Sequence, residues 1–174
     1  MAHNEQNIKY LLVDVDGTLT DAGIYYDSTG NELKKFSTRD AVGFVVARKA
    51  GIKLIVCTRR ECEATARRMR ELNVDYVFQK VLNKGDFLRE FMETHSIEKS
   101  EMGYIGDDLN DLRAMHLAGY VACPADACPE IKEIADYVSV NEGGHGAVRD
   151  AIEHLLRHAG VWEQVVRAHY DQPI

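Results

Sequence analysis

A chain of 174 residues is long enough to bury one substantial core and short for two, so every functional group is sought on a single domain, 1–174. Its net charge of −7 argues against a nucleic-acid partner, because grip on a phosphate backbone depends on many clustered Lys and Arg. The opening MAHNEQNIKY has no basic stretch leading into an apolar run, and no later segment approaches the roughly 20 apolar residues that span a bilayer, so a cytoplasmic protein with no membrane partner is expected.

The first element, Ile8 to Val13, is a nearly continuous apolar run, as expected of a strand buried on both faces of a parallel sheet. Asp14-Val15-Asp16-Gly17-Thr18 follows directly. Two carboxylates one residue apart can divide labour if the chain turns there: one attacks phosphorus, and the other exchanges a proton with the leaving or attacking oxygen. Gly17 permits the turn and Thr18 offers an N–H or hydroxyl, although an acidic turn at a strand end is the plainer alternative. Next, Ile24-Tyr25-Tyr26 and Glu32 to Phe36 flank the turn cluster Asp27 to Asn31 and read as a projecting β-hairpin, 24–36. A lone hairpin is marginal in water and needs something to pack on, another subunit included.

Helical spacing recurs over Ala41 to Ala50, Glu61 to Leu72, Lys84 to Thr94 and Leu109 to Ala118, with Gly51, Asn73 and Gly119 placed to end three of them. Between these lie two more apolar runs, Ile52 to Cys57 ending at Thr58 and Met102 to Ile105 ending at Gly106-Asp107. The alternation predicts a doubly wound parallel α/β sheet, whose ligands bind beyond the carboxyl ends of the strands, where Asp14, Thr58 and Asp107 fall. In Gly106-Asp107-Asp108-Leu109-Asn110-Asp111 three carboxylates repel one another unless they are solvated, protonated or neutralised by a cation, and such hard oxygen ligands suit Mg²⁺. Helix N-capping accounts for one or two of them. Thr58 and Lys84 add a hydroxyl donor and a fixed positive charge for phosphoryl oxygens, although each taken singly reads as a cap or a solvated side chain. Cys57, Cys62, Cys123 and Cys128 form two C-x4-C spacings that match neither a zinc ribbon nor a secreted disulfide framework, and read as structural or incidental thiols.

In this order, Asp14-Val15-Asp16-Gly17-Thr18, Thr58, Lys84 and Gly106 to Asp111 resemble the four motifs of the haloacid dehalogenase superfamily. The resemblance implies Asp14 as nucleophile and Asp16 as general acid/base, with the Asp16 main-chain carbonyl on Mg²⁺. It also implies Asp107 as a metal ligand, Asp108 and Asp111 around the metal site, Asp111 as an orienting acid, and Thr58 and Lys84 on the phosphoryl group. The second Asp of the first motif points to a phosphatase rather than a dehalogenase. Asp21 to Tyr26, Lys35 to Asp40 and Gly143 to Arg149 further resemble a capless subgroup, the phosphatases of 3-deoxy-manno-octulosonate 8-phosphate, an intermediate of lipopolysaccharide synthesis, and of nonulosonate 9-phosphates. That resemblance implies a sugar-acid phosphate substrate and a homotetramer built by the hairpin, with neighbouring subunits and C-terminal tails, here 143–174, completing each site.

One departure stands out: Thr58-Arg59-Arg60 occupies the place of the family's Thr-Gly-Arg. Arg39, Arg60 and Arg68 are candidates to grip a substrate carboxylate, because a guanidinium offers two parallel hydrogen bonds, although Arg68 lies on a Glu-rich helix where surface pairing is the ordinary role. His145, in a glycine-rich stretch read as mobile, is a further candidate contact. Two other classes fit less well. A receiver domain shares the sheet but carries its phosphorylated Asp at the end of the third strand, and a noncatalytic oligomeric interaction module leaves the motif carboxylates without a task.

Overall fold

The computed structural model describes residues 7–171. Strand β1 (Tyr10–Val13) is followed by a hairpin of β2 (Tyr25–Tyr26) and β3 (Glu32–Leu33), then helix α1 (Thr38–Lys49), β4 (Lys53–Cys57), α2 (Glu63–Glu71), β5 (Tyr76–Phe78) and α3 (Lys84–His95). A 3-10 turn leads into β6 (Met102–Ile105), after which come α4 (Leu109–Met115), β7 (Tyr120–Cys123), α5 (Pro129–Ile134), β8 (Tyr137–Val138), α6 (Ala147–His158) and α7 (Trp162–Tyr170). The main sheet has the order β5-β4-β1-β6-β7-β8 with every pair parallel. Period-two alternation sends Leu11, Val13, Leu54 and Val56 to a layer with Phe44, Ile152 and Trp162, and sends Leu12, Ile55 and Cys57 to the opposite layer with Leu88, Met115 and Ile131. The expected doubly wound α/β architecture is therefore present.

Because β1 lies between β4 and β6, the strand order reverses beside it, and the loops after these three strands diverge around one crevice. Helix boundaries differ from the sequence reading for local reasons. Ser37 accepts the Arg39 N–H at 3.1 Å, so α1 begins at Thr38. The Cys62 N–H goes to the Gln79 side chain at 2.8 Å, which holds Cys62 extended and delays α2 to Glu63. After Met115 the bonds tighten to the i−3 carbonyls, ending α4 before Ala118. Gly51 and Asn73 do adopt positive φ past their helices, whereas Gly119 serves close approach: a Cβ there would lie 2.4 Å from the Lys99 carbonyl oxygen.

The hairpin lies outside the main sheet, with Tyr25 paired to Leu33 and Tyr26 to Glu32. Its turn is locked by Asp27, whose carboxylate accepts from Thr29 and Asn31 backbone and side-chain donors at 2.7–2.9 Å. Ile24, Tyr25, Tyr26 and Leu33 are exposed, while Phe36 packs against the core. The C-terminal stretch departs from expectation. Through α6 and α7 it buries Val148, Ile152, Leu155 and Trp162 in its own core rather than leaving a free arm, and only 172–174 lie outside the described residues. All four cysteines are free thiols.

Candidate active site

Strand β1 delivers Asp14 to the carboxyl edge of the sheet, where it is buried. The turn that follows depends on Gly17: its φ is +93°, and a Cβ would stand 2.0 Å from an Asp107 carboxylate oxygen. The two acidic motifs therefore touch through the space that a side chain would fill. Thr18 donates to Asp107 at 2.9 Å across the same gap.

Behind Asp14 lies a fully buried polar network. Lys84, at the first turn of α3, places its ammonium 2.6 Å from both Asp14 and Asp111. Asp111 also accepts from the Tyr104 hydroxyl at 2.7 Å and from the Asp107 and Asp108 N–H groups at 3.2 and 3.4 Å. Its oxygens are thus saturated, and it orients the loop rather than facing the crevice. Burial and then the Asp111 charge hold the Asp14 carboxyl well above the ordinary range, against the pull of Lys84. Burial also pushes Asp107 up to about 7, with the Thr18 hydrogen bond opposing and Asp111 adding to the rise. For Lys84, burial alone would lower the pKa, but Asp14 and Asp111 outweigh it and keep the ammonium charged.

On the open side of the crevice stands Asp16. The Thr58 hydroxyl, at the end of β4, donates to one of its oxygens at 3.4 Å, and Lys34 from the hairpin donates to the other. Lys34 also lies 3.2 Å from Glu32, which pairs with Arg60 at 2.7 Å. The Arg60 N–H returns to the Thr58 hydroxyl at 3.2 Å. Lys34 was not singled out by sequence, because in a Lys-Lys-Phe run it reads as a solvated strand residue.

The remaining candidates separate. Asp108 is exposed and caps α4, taking up the Leu109 N–H at 2.8 Å, outside the carboxylate cluster. Arg60 reaches the rim of the crevice but is held by Glu32. Arg59 is exposed. Arg68 pairs with Glu71 at 3.3 Å on α2 and is not brought to the site within this chain, and Arg39 is exposed at the start of α1. The glycines around His145 combine close packing with positive φ: a Cβ on Gly143 would lie 1.9 Å from the Gly17 carbonyl oxygen, the Gly144 N–H bonds the Thr18 carbonyl at 3.1 Å, and Gly144 and Gly146 have φ of +67° and +108°. His145 itself is exposed, with a ring nitrogen 2.8 Å from the Lys35 ammonium.

Ligand oxygens of Asp14, Asp107 and Asp111 lie within 4.8 Å of one another. With all four carboxylates around the crevice ionised, Asp14, Asp16, Asp107 and Asp111 exceed the two ammonium groups, Lys34 and Lys84, by two charges. A hard divalent cation fits that donor set, and with Asp111 saturated the side chains left to hold one are Asp14 and Asp107.

A sequence profile of the haloacid dehalogenase-like hydrolases matches residues 76–152. The 3-deoxy-D-manno-octulosonate 8-phosphate phosphatase of Escherichia coli K12 is 36% identical over 151 residues, covering 87% of this chain and 80% of that protein. This chain belongs to that family of haloacid dehalogenase-like hydrolases. Among solved structures of the family, the Moraxella catarrhalis phosphatase, crystallised with a magnesium ion, a phosphate ion and KDO, has a TM-score of 0.90 and 33% identity over 94% of each chain. The cobalt-bound family member from Haemophilus influenzae has a TM-score of 0.85 and 32% identity, covering 91% of this chain and 92% of that one.

Proposed function

We propose that this protein is a magnesium-dependent phosphatase that hydrolyses 3-deoxy-D-manno-octulosonate 8-phosphate to the free sugar acid and phosphate. The observation that carries the reading is a buried Asp14 braced by Lys84, with Asp107 within metal-ligand reach across the Gly17 turn. Asp14 attacks phosphorus as the bond to the sugar oxygen breaks, and Asp16 gives a proton to the departing oxygen. Asp16 then takes a proton from the water that releases phosphate from Asp14. Lys84 and Thr58 meet the non-bridging oxygens. Asp14, Asp107 and the Asp16 carbonyl would hold Mg²⁺, which when bound would offset the charge between carboxylate and phosphate. A noncatalytic assembly module would bear the cost of burying Asp14 and Asp111 beside Asp107 with no return.

The reading extends to assembly and compartment. The exposed Ile24, Tyr25, Tyr26 and Leu33 give the hairpin apolar surface suited to self-association in a homotetramer, in which neighbouring subunits close the open crevices. Among the described residues no helix is long and apolar enough to cross a membrane, and free thiols suit the reducing cytoplasm.

A phosphate-release screen across eight- and nine-carbon ulosonate phosphates and ordinary sugar phosphates tests this. The eight-carbon ester should be turned over with the highest kcat/KM, and only with Mg²⁺. Preference for a nine-carbon ester would transfer the substrate assignment, and no release from any ester would overturn the phosphatase reading.

A further inference from the structure

Asp16 is held by a closed ring of contacts, and the hairpin supplies half of it. Lys34 engages one carboxylate oxygen while its side chain is almost fully buried, at 1% exposure. The Thr58 hydroxyl takes the other oxygen at 3.4 Å, Arg60 ties its own N–H to that hydroxyl at 3.2 Å and its guanidinium to Glu32 at 2.7 Å, and Glu32 meets Lys34 at 3.2 Å. Lys34 touches neither Asp14 nor the Lys84 network, so its place is to fix the direction of Asp16 rather than to brace the nucleophile.

We propose that Lys34 is a positioning residue, which aims the Asp16 carboxyl at the oxygen bridging phosphorus and the leaving group. A buried lysine just past a two-residue strand would be a poor structural choice, since burying an ammonium is costly unless it is paired, and both of its partners are residues of this ring. The inference rests on Asp16 serving as the general acid of a phosphatase. A misaimed acid has a specific signature. Esters whose leaving groups depart without a proton are spared, and alkyl esters suffer, because general acid catalysis typically supplies on the order of 10²–10⁴-fold where it is needed.

The experiment is kcat/KM for Lys34→Met, Lys34→Arg and Glu32→Gln against aryl phosphates of graded leaving-group pKa and one alkyl sugar phosphate, with the inhibition constant for inorganic phosphate as a second readout. Lys34→Met should lose on the order of 10–100-fold on the alkyl ester and only a few-fold on p-nitrophenyl phosphate, steepening the dependence on leaving group. Lys34→Arg should recover part of the loss. Glu32→Gln keeps the lysine but loosens its anchor, so it should steepen the dependence less, and it serves if Lys34→Met fails to fold. Phosphate inhibition should stay unchanged. An equal loss on all esters, or weakened phosphate inhibition in step with kcat/KM, would make Lys34 a substrate contact and overturn the proposal. A wild-type protein inert toward every ester would sink the phosphatase reading and this role with it, whereas an active wild type with an unaltered slope in the variants sinks only the role of Lys34.

Discussion

The two sides of the crevice are built by opposite rules. On the Asp14 side, Lys84, Asp111 and Tyr104 are buried together, the ammonium and the hydroxyl meet their carboxylate partners at 2.6–2.7 Å, and the parts hang from strand ends and a first helical turn. On the Asp16 side, Lys34, Glu32 and Arg60 come from a hairpin and a loop, and Asp16 and Arg60 keep access to solvent. The first side is over-determined, and so fixes the reaction. The second has looser supports, and so can tune which leaving group is handled and how well.

Substitutions should separate these sides in size of effect. Asp14→Asn keeps the shape but removes the attacking charge, so turnover should vanish while the circular dichroism spectrum and fold persist; residual wild-type-like rates would remove Asp14 as nucleophile. Lys84→Met leaves two buried carboxylates unpaired, and should cost about 3–5 kcal/mol of stability in denaturant titration together with most activity. Stability within 1 kcal/mol, roughly the worth of an exposed pair, would mean that the buried network is not strained by the loss.

A third test uses pH and metal. Burial raises Asp107 to about 7, so the folded metal-free chain binds a proton there that the unfolded chain releases near its ordinary carboxylate value. The contribution of this group to stability therefore falls as pH rises from about 4 to about 7. Melting curves of the metal-free wild type should decline over that window relative to Asp107→Asn, and saturating Mg²⁺ should flatten the difference. A wild type that gains stability relative to Asp107→Asn as pH rises would contradict the assigned burial. On the looser side, Arg60→Ala should lower kcat/KM by roughly tenfold, equivalent to about 1.4 kcal/mol, with little change in melting temperature, because its pair with Glu32 is half-exposed. Smallest of all, Arg70→Ala removes an exposed pair with Glu63 and should shift stability by less than about 0.5 kcal/mol and leave kcat unmoved.

The same contrast explains what the sequence revealed. Strands β1, β4 and β6 were legible because central parallel strands are continuous apolar runs, and their ends carried Asp14, Thr58 and Asp107 in a recognisable order. Strands β5, β7 and β8 and helix α5 passed unassigned: β5 and β8 are two or three residues long and lie at the sheet edges, and α5 is under two turns. The buried network was readable as motif, whereas Lys34 was not, since nothing in a Lys-Lys pair tells which ammonium will turn inward. Glycine gave a mixed signal. Gly143 and Gly144 look like a flexible linker in one dimension, yet they exist to let two backbones meet.

That meeting has a consequence for how the protein is made. Asp14 is translated ahead of its partners, since β1 is a central strand whose two neighbours arrive only with β4 and β6, and Asp107 follows β6. The glycine pair that seats against Gly17 and Thr18 emerges later still, followed by α6, whose side chains complete the layer beneath β1. A nascent chain halted before Met102 thus carries Asp14 and Asp16 without Asp107, Asp111 or the backbone clamp on their loop. Ribosomal synthesis holds these carboxylates apart until the segments from β6 to α6 have emerged, so the complete site assembles in one step after them.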